Sequence, residues 1–194
     1  MKKILILLLL LNFNFTYSYS IEADVFVQST VNRAAETLGG GLTKDERMDK
    51  LKKIALDTVD IKGIGFYSLG VHRKSASDEQ KKEYEKAFAE YFLQSFSSRL
   101  AEYSNPIINV DTKKKINENY TIVYSTLAAT DKRPAVKIDW RVYTKNKDQP
   151  LIRDLIIEGL SLARTQKEEF NSIILSSDGD INVLILKLKE FSNS

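Results

Sequence analysis

The spacing of apolar residues changes twice along this chain, and this change limits the possible folds more than any single motif. Up to Pro106 the apolar residues recur three and four positions apart, which is typical of helices. Between Pro106 and Gly159 they recur at every second position, which is typical of strands, and after Gly159 the helical spacing returns. Because helices and strands form separate blocks, the sequence predicts an α+β fold and not alternating strand-helix units.

The half of the chain before Pro106 is predicted to be helix-rich. The first helix covers residues 21–38 and ends at the three glycines that follow. Thr43 and Ser77 each stand three residues before a Glu or a Gln, a pattern that opens a helix because side chain and backbone cap each other. The helix after Ser77 runs to Tyr103 without glycine or proline, and one of its faces is aromatic.

Four strands are predicted between Pro106 and Gly159, and the short turns between them indicate an antiparallel sheet. They cover residues 107–113, 120–128, 135–144 and 151–158. In the third strand the apolar residues all point to one side and the polar residues to the other. We therefore expect helices to pack on one face of the sheet, with two further helices at residues 161–175 and 181–191.

The first twenty residues have the pattern of a secretory signal peptide. Two lysines precede an apolar run of eight residues, which is far shorter than the roughly 20 residues that a membrane-spanning helix needs. Ser18 and Ser20 supply small side chains for cleavage, and we expect cleavage after Ser20. The sequence thus predicts a signal peptide at residues 1–20 and a single exported domain at residues 21–194.

Composition and motifs exclude several kinds of chemistry. The chain has no cysteine and one histidine, His72, which excludes thiolate catalysis and cysteine-ligated metals. It has no phosphate-binding loop, zinc-protease motif or dinucleotide fingerprint, and Asp180 is interpreted as a helix cap. Without the two lysines of the leader, 27 of the 29 basic side chains remain and nearly balance the 26 acidic ones, which disfavours nucleic acid as a partner. We expect no metal, no cofactor and no enzymatic activity.

One serine needs separate consideration. The sequence G-L-S-L-A at residues 159–163 stands at a predicted strand-to-helix turn, where hydrolases of the G-x-S-x-G type carry their nucleophile. The second glycine is missing, and His72 precedes Ser161, opposite to the order in that superfamily. Ser161 is therefore interpreted as a helix cap, and an esterase that uses Ser161 remains an alternative that a serine-directed probe would test.

The apolar surfaces leave two interpretations open. Three apolar surfaces are available: the aromatic helix face, the apolar sheet face and the C-terminal helices. They either pack together into one filled core or surround a cavity for an apolar ligand. Composition does not choose between a filled core and a cavity.

Two further blocks of the chain have a specific pattern. The first is V-D-I-K-G-I at residues 59–64 followed by L-G-V-H-R-K-S-A-S-D-E-Q at 69–80, and the second is residues 136–143 followed by D-L-I-I-E-G-L-S-L at 154–162. The first block resembles the leucine-glycine turn, basic segment and Ser-capped or Thr-capped helix of the MlaC family, also called toluene-tolerance auxiliary proteins. The second block is similar to two strands of that family and its V-E-G-V-S-L-type turn. The resemblance covers essentially the whole chain after the leader.

The resemblance implies a periplasmic carrier that binds a glycerophospholipid by its acyl chains. It implies two partners between which the lipid is shuttled, an outer-membrane lipoprotein-porin complex and an inner-membrane Mla-type ABC transporter. We expect a monomer with a dry pocket, because each methylene left in water costs ~0.8 kcal/mol. From the apolar spacing, nine residues are expected to line it: Phe88, Phe92, Phe96, Val136, Ile138, Trp140, Val142, Leu155 and Ile157. A secreted, non-enzymatic adapter domain with a filled core remains the alternative.

Overall fold

Helices and strands follow one another in the order that the sequence predicts. In the computed structural model, which describes residues 20–193, a helical block precedes a sheet and two helices follow it. The helices are α1 (Ala23–Gly39), α2 (Lys44–Thr58), α3 (Ile61–Leu69), α4 (Asp78–Ala101), α5 (Leu162–Leu175) and α6 (Ile181–Ser192), with a 3₁₀ turn at Gly70–Lys74. The strands are β1 (Ile108–Asn117), β2 (Tyr120–Leu127), β3 (Val136–Tyr143), β4 (Leu151–Ile157) and β5 (Leu160–Ser161). The predicted α+β class is confirmed.

The signal peptide predicted at residues 1–20 lies outside the described residues, apart from Ser20. Within residues 20–193, no helix combines the length and the apolar character that crossing a bilayer requires.

Both predicted capping boxes are present, and they open α2 and α4. The Thr43 hydroxyl accepts from the Glu46 N–H at 3.3 Å, and the Glu46 carboxylate accepts from the Thr43 N–H at 2.9 Å. Ser77 and Gln80 make the same reciprocal pair at 3.1 and 3.0 Å. Each box satisfies backbone N–H groups that would otherwise lack a partner at the start of a helix. α4 therefore begins at Asp78 and continues for 24 residues.

The sheet is an antiparallel meander in the order β1-β2-β3-β4-β5. The four predicted strands are confirmed, and β1 continues past the predicted residue 113 to Asn117. The short strand β5 adds a fifth, in which Ser161 pairs with Ile156 of β4. A strand of two residues has no period that a sequence could reveal, so β5 was outside the reach of the prediction.

The two faces of the sheet have different neighbours. On the first face, Trp140 and Val142 of β3 are buried in a cluster with Val27 of α1. On the second face, Tyr124 of β2 and Arg141 of β3 line one side of a groove. Residues of α3, the 3₁₀ turn and α5 line its other side. Burial along β3 alternates accordingly, as the predicted apolar and polar sides require.

A second buried cluster joins the helices to one another. Tyr84 and Phe88 of α4 are buried, and the ring of Phe170 in α5 stands edge-on to both. The Tyr84 hydroxyl donates to the Gly65 carbonyl of α3 at 2.8 Å, which satisfies the only polar atom of that side chain. Burial raises the pKa of Tyr84 far above its usual value. This cluster fixes α3 relative to α4 and α5.

Helix α3 is missing from the sequence-based prediction because two of its nine residues are glycines, which disfavour helix. Close packing explains the second of them. A Cβ on Gly65 would lie 2.7 Å from Cδ1 of Phe88, so only a residue without a side chain lets α3 approach α4 this closely.

Gly65→Ala should destabilise the protein by about 1 kcal/mol or more, because overlap with the Phe88 ring costs more than alanine gains in a helix. Urea unfolding followed by circular dichroism measures the change. Gly41→Ala is the matched control, since nothing lies within 4 Å of a Cβ at that position. A Gly65→Ala variant as stable as the wild type would contradict the close contact between α3 and α4.

Candidate functional site

A groove of about 880 Å³ lies between the second face of the sheet and the helices on that side. Strands β1 to β4 form its floor, and α3, the 3₁₀ turn and the start of α5 form its wall. Its volume falls within the ~300–1,000 Å³ that is usual for ligand sites. We therefore take this groove as the candidate functional site.

The apolar part of the lining comes from both the floor and the wall. Ile122 of β2 and Ile156 of β4 lie on the floor, while Ile64 and Phe66 of α3 lie on the wall. Ile116 at the end of β1 also lines the groove and is 52% exposed. Such a surface favours hydrocarbon over water.

An ion pair fixes the start of α3 to β4. Asp60 accepts from the Gly63 N–H at 2.8 Å through one carboxylate oxygen and from Arg153 Nε at 2.6 Å through the other. The Arg153 guanidinium also donates to the Tyr120 hydroxyl at 2.7 Å and lies 3.6 Å from the centre of the Tyr143 ring. Both charged side chains are less than a third exposed, so water screens this pair less than a surface ion pair.

A buried carboxylate fixes the start of α5. Asp154 is 3% exposed and accepts from the Ser161 hydroxyl at 2.6 Å and from the Ala163 N–H at 3.0 Å. The Ser161 oxygen in turn accepts from the Arg164 N–H at 3.1 Å, which confirms Ser161 as the helix cap. The hydroxyl of Ser161 is thus engaged as a donor and as an acceptor in holding the helix.

The 3₁₀ turn is fastened to α5 at the edge of the groove. His72 Nε2 lies 2.9 Å from Asn171 Oδ1. Gly70 has a φ of 60°, and a Cβ at that position would lie 3.1 Å from Cε of Lys167. Glycine therefore makes the turn possible and leaves room for the lysine stem.

Positive charge is concentrated along this groove. Its lining contains one acidic side chain, Asp139, and five basic ones: Arg73, Lys74, Arg141, Arg153 and Lys167. Two of the five have acidic neighbours, since Arg153 pairs with Asp60 and an Arg141 nitrogen lies 3.6 Å from an Asp154 oxygen. For the other three, no ion pair occurs within the part of the chain that the structure describes. Lys167 lies 5.3 Å from the centre of the Tyr67 ring.

Asp139 lies on the floor of the groove, between Tyr124 of β2 and Ile156 of β4. It has no ion pair among residues 20–193. Burial raises the pKa of its carboxyl above the usual value, against the attraction of Lys137 and with the repulsion of Glu158. The folded protein therefore binds the Asp139 proton more tightly than the unfolded chain does.

The six predicted lining residues of the sheet lie on its first face, on the opposite side from the groove: Val136, Ile138, Trp140, Val142, Leu155 and Ile157. Ile138, Trp140 and Val142 are buried in the cluster with α1, and Val136 and Leu155 pack against it. Ile157 pairs with Ile138 and so shares that face.

The three predicted phenylalanines lie in the helical block. Phe88 is part of the buried cluster with Phe170, and Phe92 packs against that cluster. The Phe92 and Phe96 rings are stacked, with centroids 5.7 Å apart and planes 9° apart. None of the nine predicted residues lines the groove, and their part in ligand binding stays a prediction.

The spacing of apolar residues did not predict the groove residues, and the reason is physical. Spacing identifies the most buried face of a strand, and here that face is filled by α1. The groove uses the wetter face, where charged and apolar residues are mixed. The block that resembles the MlaC family was the better guide, because it contains several groove residues: Gly63, Ile64, Gly70, Arg73 and Lys74.

Comparison with known proteins agrees with the resemblance to the MlaC family. The family model described as MlaC protein matches residues 28–190 of this chain. The intermembrane phospholipid transport system binding protein MlaC of Haemophilus influenzae is 27% identical over 138 residues. That match covers 70% of this chain and 63% of the relative, so the chain spans less than two thirds of the relative's length.

A solved structure shares the fold. The phospholipid-binding protein from Ralstonia solanacearum, determined in complex with a phospholipid, matches with a TM-score of 0.75 and 21% sequence identity. The match covers 89% of this chain and 98% of the other. Helices and sheet are therefore arranged alike in the two proteins.

Asp139→Asn should raise stability at pH 7 and change it less at pH 3. Because burial raises the pKa of Asp139, ionising it costs the folded state free energy as the pH rises from about 3.9, the usual aspartate value, through the folded pKa. Urea unfolding of the wild type and the variant at several pH values measures this difference. A stability difference that does not grow with pH would contradict the environment described for Asp139.

Proposed function

Because the chain belongs to the MlaC family, we propose that it is a periplasmic carrier which holds a glycerophospholipid in the groove by its acyl chains. The observation that carries this proposal is the open groove of about 880 Å³ with isoleucines on both its floor and its wall. Removing an acyl chain from water is favourable by ~0.8 kcal/mol per methylene, so a groove of this kind can supply most of the affinity.

The same groove speaks against an adapter domain with a filled core. In an adapter of that kind, the second face of the sheet would be covered by side chains of α3 and α5, whereas here these helices contact β4 and a groove separates them from β2 and β3. The esterase alternative loses its main support, since Ser161 donates to Asp154 and caps α5. We propose binding, with no covalent step.

The cellular role that we propose goes further. The leader would direct the chain to the periplasm, where the protein would act as a monomer. It would take lipid from one membrane system and deliver it to another, with an outer-membrane lipoprotein-porin complex and an inner-membrane Mla-type ABC transporter as partners. The relative from Haemophilus influenzae, named as a binding protein of intermembrane phospholipid transport, supports this role.

Native mass spectrometry tests the proposal directly. The chain would be expressed with its leader, purified from a bacterial periplasm without detergent, and measured before and after denaturation. We expect one adduct of phospholipid mass per protein, released on denaturation. A protein without adduct that also fails to take up added phospholipid would overturn the carrier function.

The same substitution at two positions tests where the acyl chains lie. Ile156→Asp places a charge on the floor of the groove and should lower lipid occupancy at least tenfold in a folded protein. Ile138→Asp places the same charge in the cluster with α1 and should lower the free energy of unfolding by several kcal/mol.

The pair also tests the part of the nine-residue prediction that lies on the sheet. Lipid occupancy by mass spectrometry and stability by urea unfolding are measured for both variants. If Ile138→Asp keeps wild-type stability and loses lipid while Ile156→Asp keeps lipid, the chains lie against the first face of the sheet and the groove assignment is wrong.

A further inference from the structure

We infer that the groove has a subsite for the phosphate of a phospholipid headgroup, formed by Arg73 and Lys74 of the 3₁₀ turn and Lys167 of α5. This inference rests on the proposed function and adds to it. It means that the carrier recognises its cargo by the phosphate of the headgroup as well as by the acyl chains.

The fold holds these three cations on one side of the groove. Arg73 and Lys74 are neighbours in a turn that His72 fastens to α5 through Asn171. Lys167 reaches the start of the same turn, since its Cε would lie 3.1 Å from a Cβ on Gly70. The turn and α5 therefore place the three basic residues along the same wall of the groove before any ligand binds.

Charge compensation distinguishes these three cations from the others in the groove. Arg153 and Arg141 have the carboxylates of Asp60 and Asp154 beside them. Arg73, Lys74 and Lys167 have no ion pair within residues 20–193, although the chain as a whole carries 26 acidic side chains. Unpaired like charges on one surface repel one another, and an anion placed among them relieves that repulsion.

The chemistry of the three side chains favours a phosphate. A guanidinium can donate two parallel hydrogen bonds to phosphate oxygens, and lysine ammonium groups bind phosphate as point charges. The single acidic side chain of the groove lining, Asp139, lies on β3 and not on the wall that carries the three cations. Repulsion from Asp139 disfavours a phosphate on the floor, so the phosphate belongs at the wall and the acyl chains at the floor.

The groove itself identifies the source of the phosphate as a lipid. The three cations line the same groove as Ile64, Ile122 and Ile156, so a charged surface and a hydrocarbon surface meet in one site. A free phosphate ion would use the first surface only. A phospholipid has both parts joined in one molecule.

A competition experiment with the full chain tests the subsite. The protein is mixed with equimolar dioleoylphosphatidylglycerol and dioleoylglycerol, which carry the same acyl chains and differ in the phosphate headgroup. Native mass spectrometry measures the ratio of the two adducts. We expect the wild type to favour the phospholipid at least tenfold, and the variant Arg73→Gln/Lys74→Gln/Lys167→Gln to bring this ratio within threefold of one.

A matched control removes three charges elsewhere. Lys50→Gln/Lys53→Gln/Lys187→Gln changes exposed lysines that do not line the groove, so it should keep the wild-type ratio. The double variant Arg73→Gln/Lys74→Gln, confined to two exposed side chains, provides a second reading and should lower the ratio by an intermediate factor.

The outcomes separate the two proposals. If the wild type binds both lipids equally, or if the triple variant keeps the wild-type ratio, the phosphate subsite is wrong and the carrier function stands. If neither lipid binds to the wild type, the carrier function fails. If inorganic phosphate alone binds and this binding is lost in the triple variant while the lipid ratio is unchanged, the cations serve free phosphate and the lipid source is overturned.

Discussion

The groove depends on how α3 is held away from the sheet and close to the other helices. Its first turn is joined to β4 by the Asp60–Arg153 ion pair, and its middle lies against α4 at Gly65. A helix with an ordinary apolar face would settle onto the nearest sheet surface and close the space between them. Here α3 is fixed to the sheet only at its start, by the ion pair to β4, and packs against α4 at Gly65, so the rest of the second face stays available for a ligand.

The two faces of the sheet have different roles: the first face stabilises the fold, and the second face lines the groove. The first face packs against α1 through residues such as Val123 and Trp140, and this cluster stabilises the sheet whether or not a ligand is present. The second face carries mixed apolar and charged residues that no helix covers completely. Residues of the second face that only line the groove, such as Ile156, can therefore vary with the ligand at little cost to the fold, whereas Asp154 and the buried residues of the first face cannot.

The sequence was a good guide where local chemistry decides the structure and a poor one where tertiary contacts decide it. The capping boxes at Thr43 and Ser77, the cap at Ser161 and the alternation in β3 are local signals, and all appear in the structure. Helix α3 depends on packing of Gly65 against a ring 23 positions further along the chain, at Phe88, which no local pattern shows. The groove follows from α3, so spacing alone pointed to the face that α1 fills.

A carrier has to release what it binds, and the arrangement of the groove bears on that requirement. Acyl chains contribute affinity in proportion to the apolar area they bury, which depends little on salt. Attraction between a headgroup phosphate and exposed side chains such as Arg73 and Lys74 is screened over about 8 Å at physiological ionic strength. A basic cluster at the wall would therefore add discrimination among lipids without adding enough affinity to trap one. Because these side chains are exposed, an acidic surface on a partner could compete for them and loosen the headgroup while the chains are still in the groove.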